Sequence, residues 1–556
     1  MGIPSFYKHI IESITGVTYK DRSAPPQFFG LDLNCAIYHC VKKVQRVTPY
    51  APNSPAEGLK WEGDVIRQVI AYIRQMRDIV APTETLYIAV DGVAPMAKIK
   101  QQRMRRFKSA VGAETEARIK AEAQGVAYVP TPRWDTNAIT PGTAFMANLA
   151  AALHDYARTD PAKIIVSPAD IPGEGEQKLV EYIRAHKPAD AVIYGLDADL
   201  IVLALWTSHT QATRIDLFRE DVEFSGGIKE NVLGTEEYLY LNVKHLADAV
   251  YSRYAPPTTA AAEFIRDFVG LMNLMGNDFV PHGMALKIRA GGIPLLLEQY
   301  ATLPRPIVRP AAAGAWEYNP DSLAACFGWL AAQEPQLMVE GIQKKFGTRV
   351  GATHSREPVD QALARYNDTP VTWRAEKDMV QYVRVPGFET PQMRLAPAWR
   401  EVYEAQALCG ADPAQCTRVY LESLAWTLAY YSGDAPTTTA VDMRWYYPWS
   451  LPPLTDRVVE YLKTHGMPDA PAAPAPAAAH AAPLAPIEQL AMVLPETSFH
   501  LLPSELQSLP TQYPFAWPTD WSYYSFGRRF MWECEPLIPL IQPAQIKQWV
   551  EIVLEA

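Results

Sequence analysis

The sequence lacks the features that mark membrane-spanning and secreted proteins. No apolar stretch among its 556 residues reaches the roughly 18–20 residues needed to span a bilayer. The opening residues, MGIPSFYKHI, contain no apolar core of a secretory signal, and Phe6 stands where the myristoylation pattern requires Ser or Thr. Six cysteines are too few for a disulfide framework in a chain of this length. We therefore expect an intracellular protein without a membrane partner, and we expect the cytoplasm ahead of the nucleus.

The sequence also lacks a clear metal–thiolate pattern and a net positive charge. Cys35 and Cys40 flank His39, but their spacing does not match a zinc ribbon and no second cysteine pair lies nearby. The net charge of −10 argues, taken alone, against a nucleic-acid binder. However, the segment KIKQQRMRRFK at 98–108 is densely basic. An acidic total combined with a local basic pocket suits a metal-dependent nuclease.

Strand-like and helical patterns alternate through residues 1–300. Short segments rich in Val, Ile, Tyr and Leu are typical of strands buried on both faces. These segments are QFFGLDLN, ETLYIAVDG, KIIVSPAD and DAVIYGLDADLIVLAL. Amphipathic helical stretches separate them, so we predict an α/β domain with a doubly wound, mostly parallel sheet.

The remainder of the chain divides into three predicted parts. Residues 301–467 have mainly helical patterns and end near an aromatic segment, RWYYPWSLPPLTD. Residues 468–486 are rich in Pro and Ala, which predicts a semi-rigid linker. Residues 487–556 are apolar and aromatic again, so we expect them to pack back onto the body.

Seven acidic residues lie beside predicted strand ends or glycine turns. They are Asp32, Asp91, Glu174, Glu176, Asp197, Asp199 and Asp278. One such Asp is usually a helix cap or a turn former, but seven together favour a shared site. Carboxylates in contact raise each other's pKa, and divalent cations relieve that conflict. Oxygen ligands alone select Mg²⁺ or Mn²⁺, and two such ions promote phosphodiester hydrolysis.

A basic helix follows Asp91 directly. Lys98, Gln102, Arg105 and Arg106 fall at i, i+4, i+7 and i+8, so they lie on one arc of a helix. Three cations and one amide on a common face can bind a terminal phosphate. A solvated basic face is the alternative, and the position beside a candidate metal ligand favours the pocket.

These segments together resemble the Xrn/Rat-type 5′→3′ exoribonucleases, within the wider flap-endonuclease-like (PIN-like) superfamily. The similar stretches include MGIPSFYKHI, LDLN, DGVAPMAKIKQQRMRRF, PGEGEQK, YGLDADLIVLAL and DFVGLMNLMGNDFVPH. Later stretches include WTLAYYSG, RWYYPWSLPPLTD and WECEPLIPLI. They follow the family's order from residue 1 to about residue 540.

The resemblance implies a role for each candidate residue. The seven acids match the family's metal-binding and catalytic acids, which hold two Mg²⁺ (or Mn²⁺) ions. Lys98, Gln102, Arg105 and Arg106 match the pocket for an RNA 5′-monophosphate. Trp445 matches an aromatic that closes a stack of bases, which tolerates any sequence. Tyr38 stands where the family usually has His, and an aromatic there can still stack.

The resemblance implies a processive, Mg²⁺-dependent 5′→3′ exoribonuclease that releases nucleoside 5′-monophosphates from single-stranded RNA. We expect it to act as a monomer in RNA degradation. A flap-type DNA nuclease and an inactive RNA-binding scaffold are the alternatives. The phosphate pocket and WYYP count against the first, and the seven retained acids count against the second.

Overall fold

The computed structural model describes residues 6–130, 132–195, 197–221, 236–348, 355, 357–371, 374–433, 441–471 and 484–555. Most of the predicted linker at 468–486, and the first five residues of the opening motif, lie outside the described residues. Within the described ranges, no helix combines the length and the apolar character needed to cross a membrane.

A central sheet organises the first part of the chain. Its strands stand in the order β1-β7-β6-β5-β2-β3-β4. Their bounds are β1 Thr18–Tyr19, β2 Phe28–Asp32, β3 Thr85–Ala89, β4 Ile164–Ser167, β5 Asp190–Tyr194, β6 Arg214–Glu220 and β7 Tyr238–Asn242. Strands β2 to β6 are parallel, whereas β7 and β1 add antiparallel pairs at one edge. The predicted α/β fold with a mostly parallel sheet is confirmed.

Helices cover both faces of this sheet and build most of the second part. The first ten are α1 Phe6–Ser13, α2 Asn34–Val47, α3 Pro55–Val80, α4 Met96–Ala123, α5 Ala144–Thr159, α6 Gly175–His186, α7 Asp199–Gln211, α8 Val243–Tyr254, α9 Ala261–Met272 and α10 Gly292–Tyr300. The others are α11 Pro320–Phe346, α12 Pro358–Asp368, α13 Arg374–Asp378, α14 Trp399–Ala407, α15 Pro413–Ser432, α16 Thr455–His465, α17 Pro486–Val493, α18 Leu509–Gln512 and α19 Pro543–Glu555.

Three small antiparallel sheets interrupt the helical second part. They pair β8 Val308–Pro310 with β9 Trp316–Tyr318, β10 Val380–Val383 with β11 Gln392–Leu395, and β12 Tyr523–Tyr524 with β13 Glu535–Pro536. The first of these pairs packs near α9 and α15.

One strand prediction was wrong over half of its length. Strand β5 ends at Tyr194, and the apolar continuation of the predicted segment forms helix α7 from Asp199. The first nine residues of α7 are all buried, so no polar face reveals a helical period in the sequence. Periodicity cannot separate a buried helix from a buried strand in such a run.

The sheet divides two apolar cores. Along β2, Phe28 packs in the core with α6 and α7, whereas Phe29 and Leu31 pack on the other face with α2, α3 and α5. This alternation follows the two-residue period of a strand, and burial on both faces explains the continuous apolar strand sequences.

The last part of the chain packs against helix α4. Met96, Ile99 and Phe107 of α4 share one apolar cluster with residues from 490 to 553. Within it, Arg103 is fully buried and donates hydrogen bonds to the backbone carbonyls of Met492, Ala516 and Pro539. Burial lowers the pKa of Arg103 to about 9, since no carboxylate compensates its charge. Helix α4 is thus held in place by residues that come about 400 positions later in the sequence.

Candidate active site

The carboxyl ends of four neighbouring parallel strands bring six of the seven predicted acids to one edge of the sheet. Asp32 is the last residue of β2, and Asp91 lies just past β3. Glu174 and Glu176 lie at the start of α6 after β4, Asp197 lies between β5 and α7, and Asp199 is the first residue of α7. The seventh acid, Asp278, lies just after the turn that follows α9.

All seven carboxylates belong to one electrostatically coupled group. Asp32 faces the charges of Asp91, Asp197 and Glu174, and Glu176 faces those of Glu174, Asp197 and Asp199. Asp199 in turn faces Asp278. The structure therefore brings the predicted acids together. Glu174, Glu176 and Asp199 are each at most 5% exposed to solvent.

Burial and mutual repulsion perturb these acids strongly. Burial, followed by the neighbouring carboxylates, raises the pKa of Asp32 and Glu176 well above the usual range. The same causes raise the pKa of Asp199 to about 7. Without a cation, part of this group therefore holds protons near neutral pH.

Lys98 lies among the acids rather than apart from them. Its Nζ forms ion pairs, lying 2.8 Å from Glu174 Oε2 and 2.7 Å from Asp278 Oδ2. Although burial opposes it, the charges of Asp278 and Glu174 raise the pKa of Lys98 well above its usual value. Burial by itself would raise the pKa of Asp278, but Lys98 holds the pKa of that carboxyl well below its usual range. Lys98 is therefore the internal countercharge of the group.

Backbone and side-chain donors orient individual acids. The Gly175 N–H donates to Asp91 Oδ1 at 2.7 Å, and the Asp91 N–H donates to Asn34 Oδ1 at 3.1 Å. Gly175 is required here, because a Cβ at this position would lie 2.5 Å from Asp32 Oδ1. The Tyr430 hydroxyl donates to Glu174 Oε1 at 2.8 Å.

The donor set suits a hard divalent cation in its chemistry. All the acids offer oxygen, and the buried Asp32 Oδ1 and Glu176 Oε2 have no hydrogen-bond partner. In the described ranges, however, no three acidic, His or Cys side chains already converge on a point that could hold an ion. Binding would therefore require side chains such as Glu174 and Asp278 to turn away from Lys98.

The predicted phosphate pocket lies on α4 beside the acids. Arg106 is buried and donates through Nη1 to Thr140 Oγ1 at 2.6 Å, and burial lowers its pKa to about 10. Arg105 is exposed, and the buried Gln102 Oε1 has no hydrogen-bond partner. The ammonium of Lys98 faces the carboxylates, and a phosphate pocket formed by the four residues stays a prediction.

The predicted stacking residues lie in different parts of the core. Tyr38 is half-buried against the cluster under α2 and α3, whereas Trp445 is half-buried against the cluster on the opposite face of the sheet. Trp445 Nε1 donates to Ser423 Oγ at 3.2 Å. Base stacking between them stays a prediction.

Comparisons with known proteins find similar sequences. Residues 1–221 match the family described as XRN 5'-3' exonuclease N-terminus. This match covers less than half of the 556 residues. It is 28% identical to human "5'-3' exoribonuclease 1" over 99% of this chain and 34% of that protein. It is 32% identical to Saccharomyces cerevisiae "5'-3' exoribonuclease 2" over 54% of this chain and 35% of that protein. The chain therefore spans about a third of the length of these Xrn relatives.

Several residues beside the acids were not predicted from the sequence. Tyr430 and Tyr431 lie in the segment WTLAYYSG, and the sequence alone assigns no role to either tyrosine. Tyr430 stacks on Trp426 with ring centroids 4.9 Å apart. The buried Tyr431 hydroxyl has no hydrogen-bond partner, and burial followed by the charge of Asp199 raises its pKa well above the usual value. No sequence periodicity reveals these contacts, because α15 is buried on most sides.

Proposed function

We propose that this chain is a Mg²⁺-dependent, processive 5′→3′ exoribonuclease that acts on single-stranded RNA with a 5′-monophosphate. The observation that supports it most is the adjacency of two opposite charge sets. Seven coupled acids lie at the carboxyl edge of the sheet, and the cations of α4 lie directly beside them.

Each charge set has a distinct task in this proposal. Arg105 and Arg106 bind the terminal phosphate, and Gln102 adds an amide donor. The acids bind two Mg²⁺ ions, which when present supply an activated water and stabilise the leaving oxygen. No side chain has to act as a nucleophile.

The surrounding contacts keep the acids in position for this chemistry. The Gly175 N–H fixes one oxygen of Asp91, which leaves its other oxygen for a ligand. The Tyr430 hydroxyl fixes one oxygen of Glu174 in the same way. Lys98 neutralises Glu174 and Asp278 until a cation or a substrate phosphate competes for these partners. Preorientation of this kind lowers the cost of aligning the scissile bond.

The test uses RNA labelled at its 3′ end. One oligonucleotide has a 5′-phosphate and its twin has a 5′-hydroxyl, and both are incubated with Mg²⁺ or with EDTA. The proposal expects loss of only the phosphorylated RNA, only in Mg²⁺, and without a ladder of intermediates. Faster cleavage of a DNA flap would favour the flap-nuclease alternative, and binding without cleavage would favour the scaffold.

Two variants test the site assignment. Asp199→Ala should abolish cleavage and leave RNA binding largely intact, because phosphate contacts elsewhere supply affinity. The exposed Asp248→Ala is its control. Arg105→Ala should remove the preference for 5′-phosphate over 5′-hydroxyl, whereas Arg118→Ala, exposed on the same helix, should keep it. Wild-type turnover in Asp199→Ala would refute the acid assignment.

A further inference from the structure

A cavity opens along α4 and borders the group of acids at Asp278. It encloses about 770 Å³ between α4 and residues 275–290, 338–345, 447–450 and 527–536. Cavities that bind small molecules usually enclose about 300–1,000 Å³. Asp278 and Gln101 line it where it approaches the acids, and Arg105 lines it as well.

The cavity has a surplus of positive charge. Nine Lys or Arg side chains line it against four Asp or Glu, although the whole chain has a net charge of −10. Three of these acids already have cationic partners: Glu376 pairs with Lys345, Glu535 with Arg528, and Asp278 with a lysine outside the cavity. Glu535 also acts on Lys100 and Lys108, and Glu533 acts on Lys287, so these carboxylates offset the surplus of positive charge only in part.

Three lysines of this cavity donate to neutral oxygens. Lys100 Nζ donates to the Tyr447 carbonyl at 2.8 Å, Lys287 Nζ donates to the Gly527 carbonyl at 3.0 Å, and Lys108 donates to the carbonyl of Cys534. Burial lowers the pKa of Lys100 and of Lys287 to about 8, although the charges of Glu535 and Glu533 act in the opposite sense. An anion that enters the cavity would add countercharge to these ammonium groups.

Aromatic rings lie among these cations. Trp532 keeps 43% of its surface exposed, and the Arg289 guanidinium lies 4.7 Å from its ring centroid. Trp449 is half-buried, with its ring 5.3 Å from that of Tyr447. Flat aromatic faces beside cations bind a nucleobase and its phosphate together.

We propose that this cavity binds a nucleoside 5′-monophosphate, with its phosphate among Lys100, Lys287 and Arg529 and its base against Trp449 or Trp532. The site goes beyond the proposed exoribonuclease reaction and needs neither RNA nor metal. If that reaction holds, the enzyme's own product is one occupant of the cavity.

The test is calorimetric titration of the full chain with AMP in EDTA, with inorganic phosphate and adenosine as separate arms. AMP should bind with an affinity at least about tenfold above that of phosphate or adenosine, because base and phosphate each contribute. Lys287→Met should weaken AMP about tenfold or more, since it removes a charge-assisted contact. The exposed Lys463→Met is its matched control and should bind AMP as the wild type does.

A second variant keeps the proposal testable if Lys287→Met fails to fold. Trp532→Ala removes a largely exposed ring, so folding should persist, while AMP binding falls at least about fivefold and phosphate binding does not change. Equal affinity for AMP and phosphate would overturn the proposal in favour of a simple anion site. Loss of AMP binding in Gln102→Ala rather than Lys287→Met would assign the nucleotide to the predicted 5′-phosphate pocket instead. Displacement of AMP by a 5′-hydroxyl RNA would assign the cavity to an RNA strand, which also overturns it.

Because no metal and no RNA cleavage enter this titration, its outcome is independent of the exoribonuclease test. AMP binding can fail while cleavage succeeds, and the reverse can also occur.

Discussion

Replacing Lys98 by methionine removes a cation that lies between two of the acids, Glu174 and Asp278. The ammonium makes two short contacts, at 2.8 and 2.7 Å, and only 13% of the side chain is exposed. Breaking a buried ion pair by removing one partner costs about 3–5 kcal/mol, since the remaining charge has no compensation. Lys98→Met should therefore destabilise the metal-free protein by an amount of this order.

The assay is thermal unfolding at pH 8 in EDTA and in excess Mg²⁺. A loss of about 3 kcal/mol lowers the Tm of a domain of roughly 300 residues by about 5 °C. Bound Mg²⁺ supplies the missing positive charge to Glu174 and Asp278, so the variant should recover most of this loss in Mg²⁺. The rise in Tm on adding Mg²⁺ should thus be larger in the variant than in the wild type.

Lys100→Met is the matched control on the same helix. Lys100 donates to the backbone carbonyls of Tyr447 and Pro448 and to no carboxylate. Its replacement should lower the Tm similarly with and without Mg²⁺. A Lys98→Met variant with the wild-type Tm in EDTA, or with no extra gain from Mg²⁺, would refute the charge-balance reasoning.

Three further outcomes follow from the same structure. In EDTA, the Tm should fall as pH rises from about 4 to about 7. Because the pKa of Asp199 is raised, the folded state holds a proton in this range that the unfolded chain has released. A profile of Tm against pH measures this fall, and Mg²⁺ should flatten the profile. Tyr430→Phe removes a hydrogen bond to the carboxylate of Glu174, so half-maximal RNA cleavage should require several-fold more Mg²⁺. A Mg²⁺ titration measures this requirement. An unchanged requirement would contradict the positioning role of Tyr430. Arg103→Met leaves three backbone carbonyls without their donor, so it should lower the free energy of unfolding by about 3 kcal/mol or more. Limited proteolysis should then cut residues 484–555 in this variant. The exposed Arg118→Met variant should resist such cleavage as the wild type does.

Local patterns in the sequence predict the sheet and the position of the acids well. Strands β2 to β5 have continuous apolar sequences because both of their faces are buried, and the acids follow them because parallel strands end at one edge. The common face of Lys98, Gln102, Arg105 and Arg106 follows from helical spacing alone. Each of these features depends on residues close together in the chain.

Several individual contacts between distant residues were not predicted. Tyr430 reaches Glu174 across 256 positions, and the edge pair of β1 with β7 joins strands more than 200 residues apart. The ion pairs of Lys98 with Glu174 and Asp278 were not predicted either, because spacing gives the helical face of Lys98 but not its nearest charges. The sequence of helix α7 resembles a strand because burial on all sides hides the helical period.

The burial of Arg103 also bears on the order in which the protein takes shape during synthesis. Its carbonyl partners leave the ribosome 389 to 436 residues after it does. At about 5–20 residues per second, this interval lasts roughly 20–90 s. Until then, the guanidinium lies beside Phe107 of its own helix but has none of its three carbonyl partners. A nascent chain that already contains every residue of the acid cluster therefore still lacks the residues that complete the burial of α4.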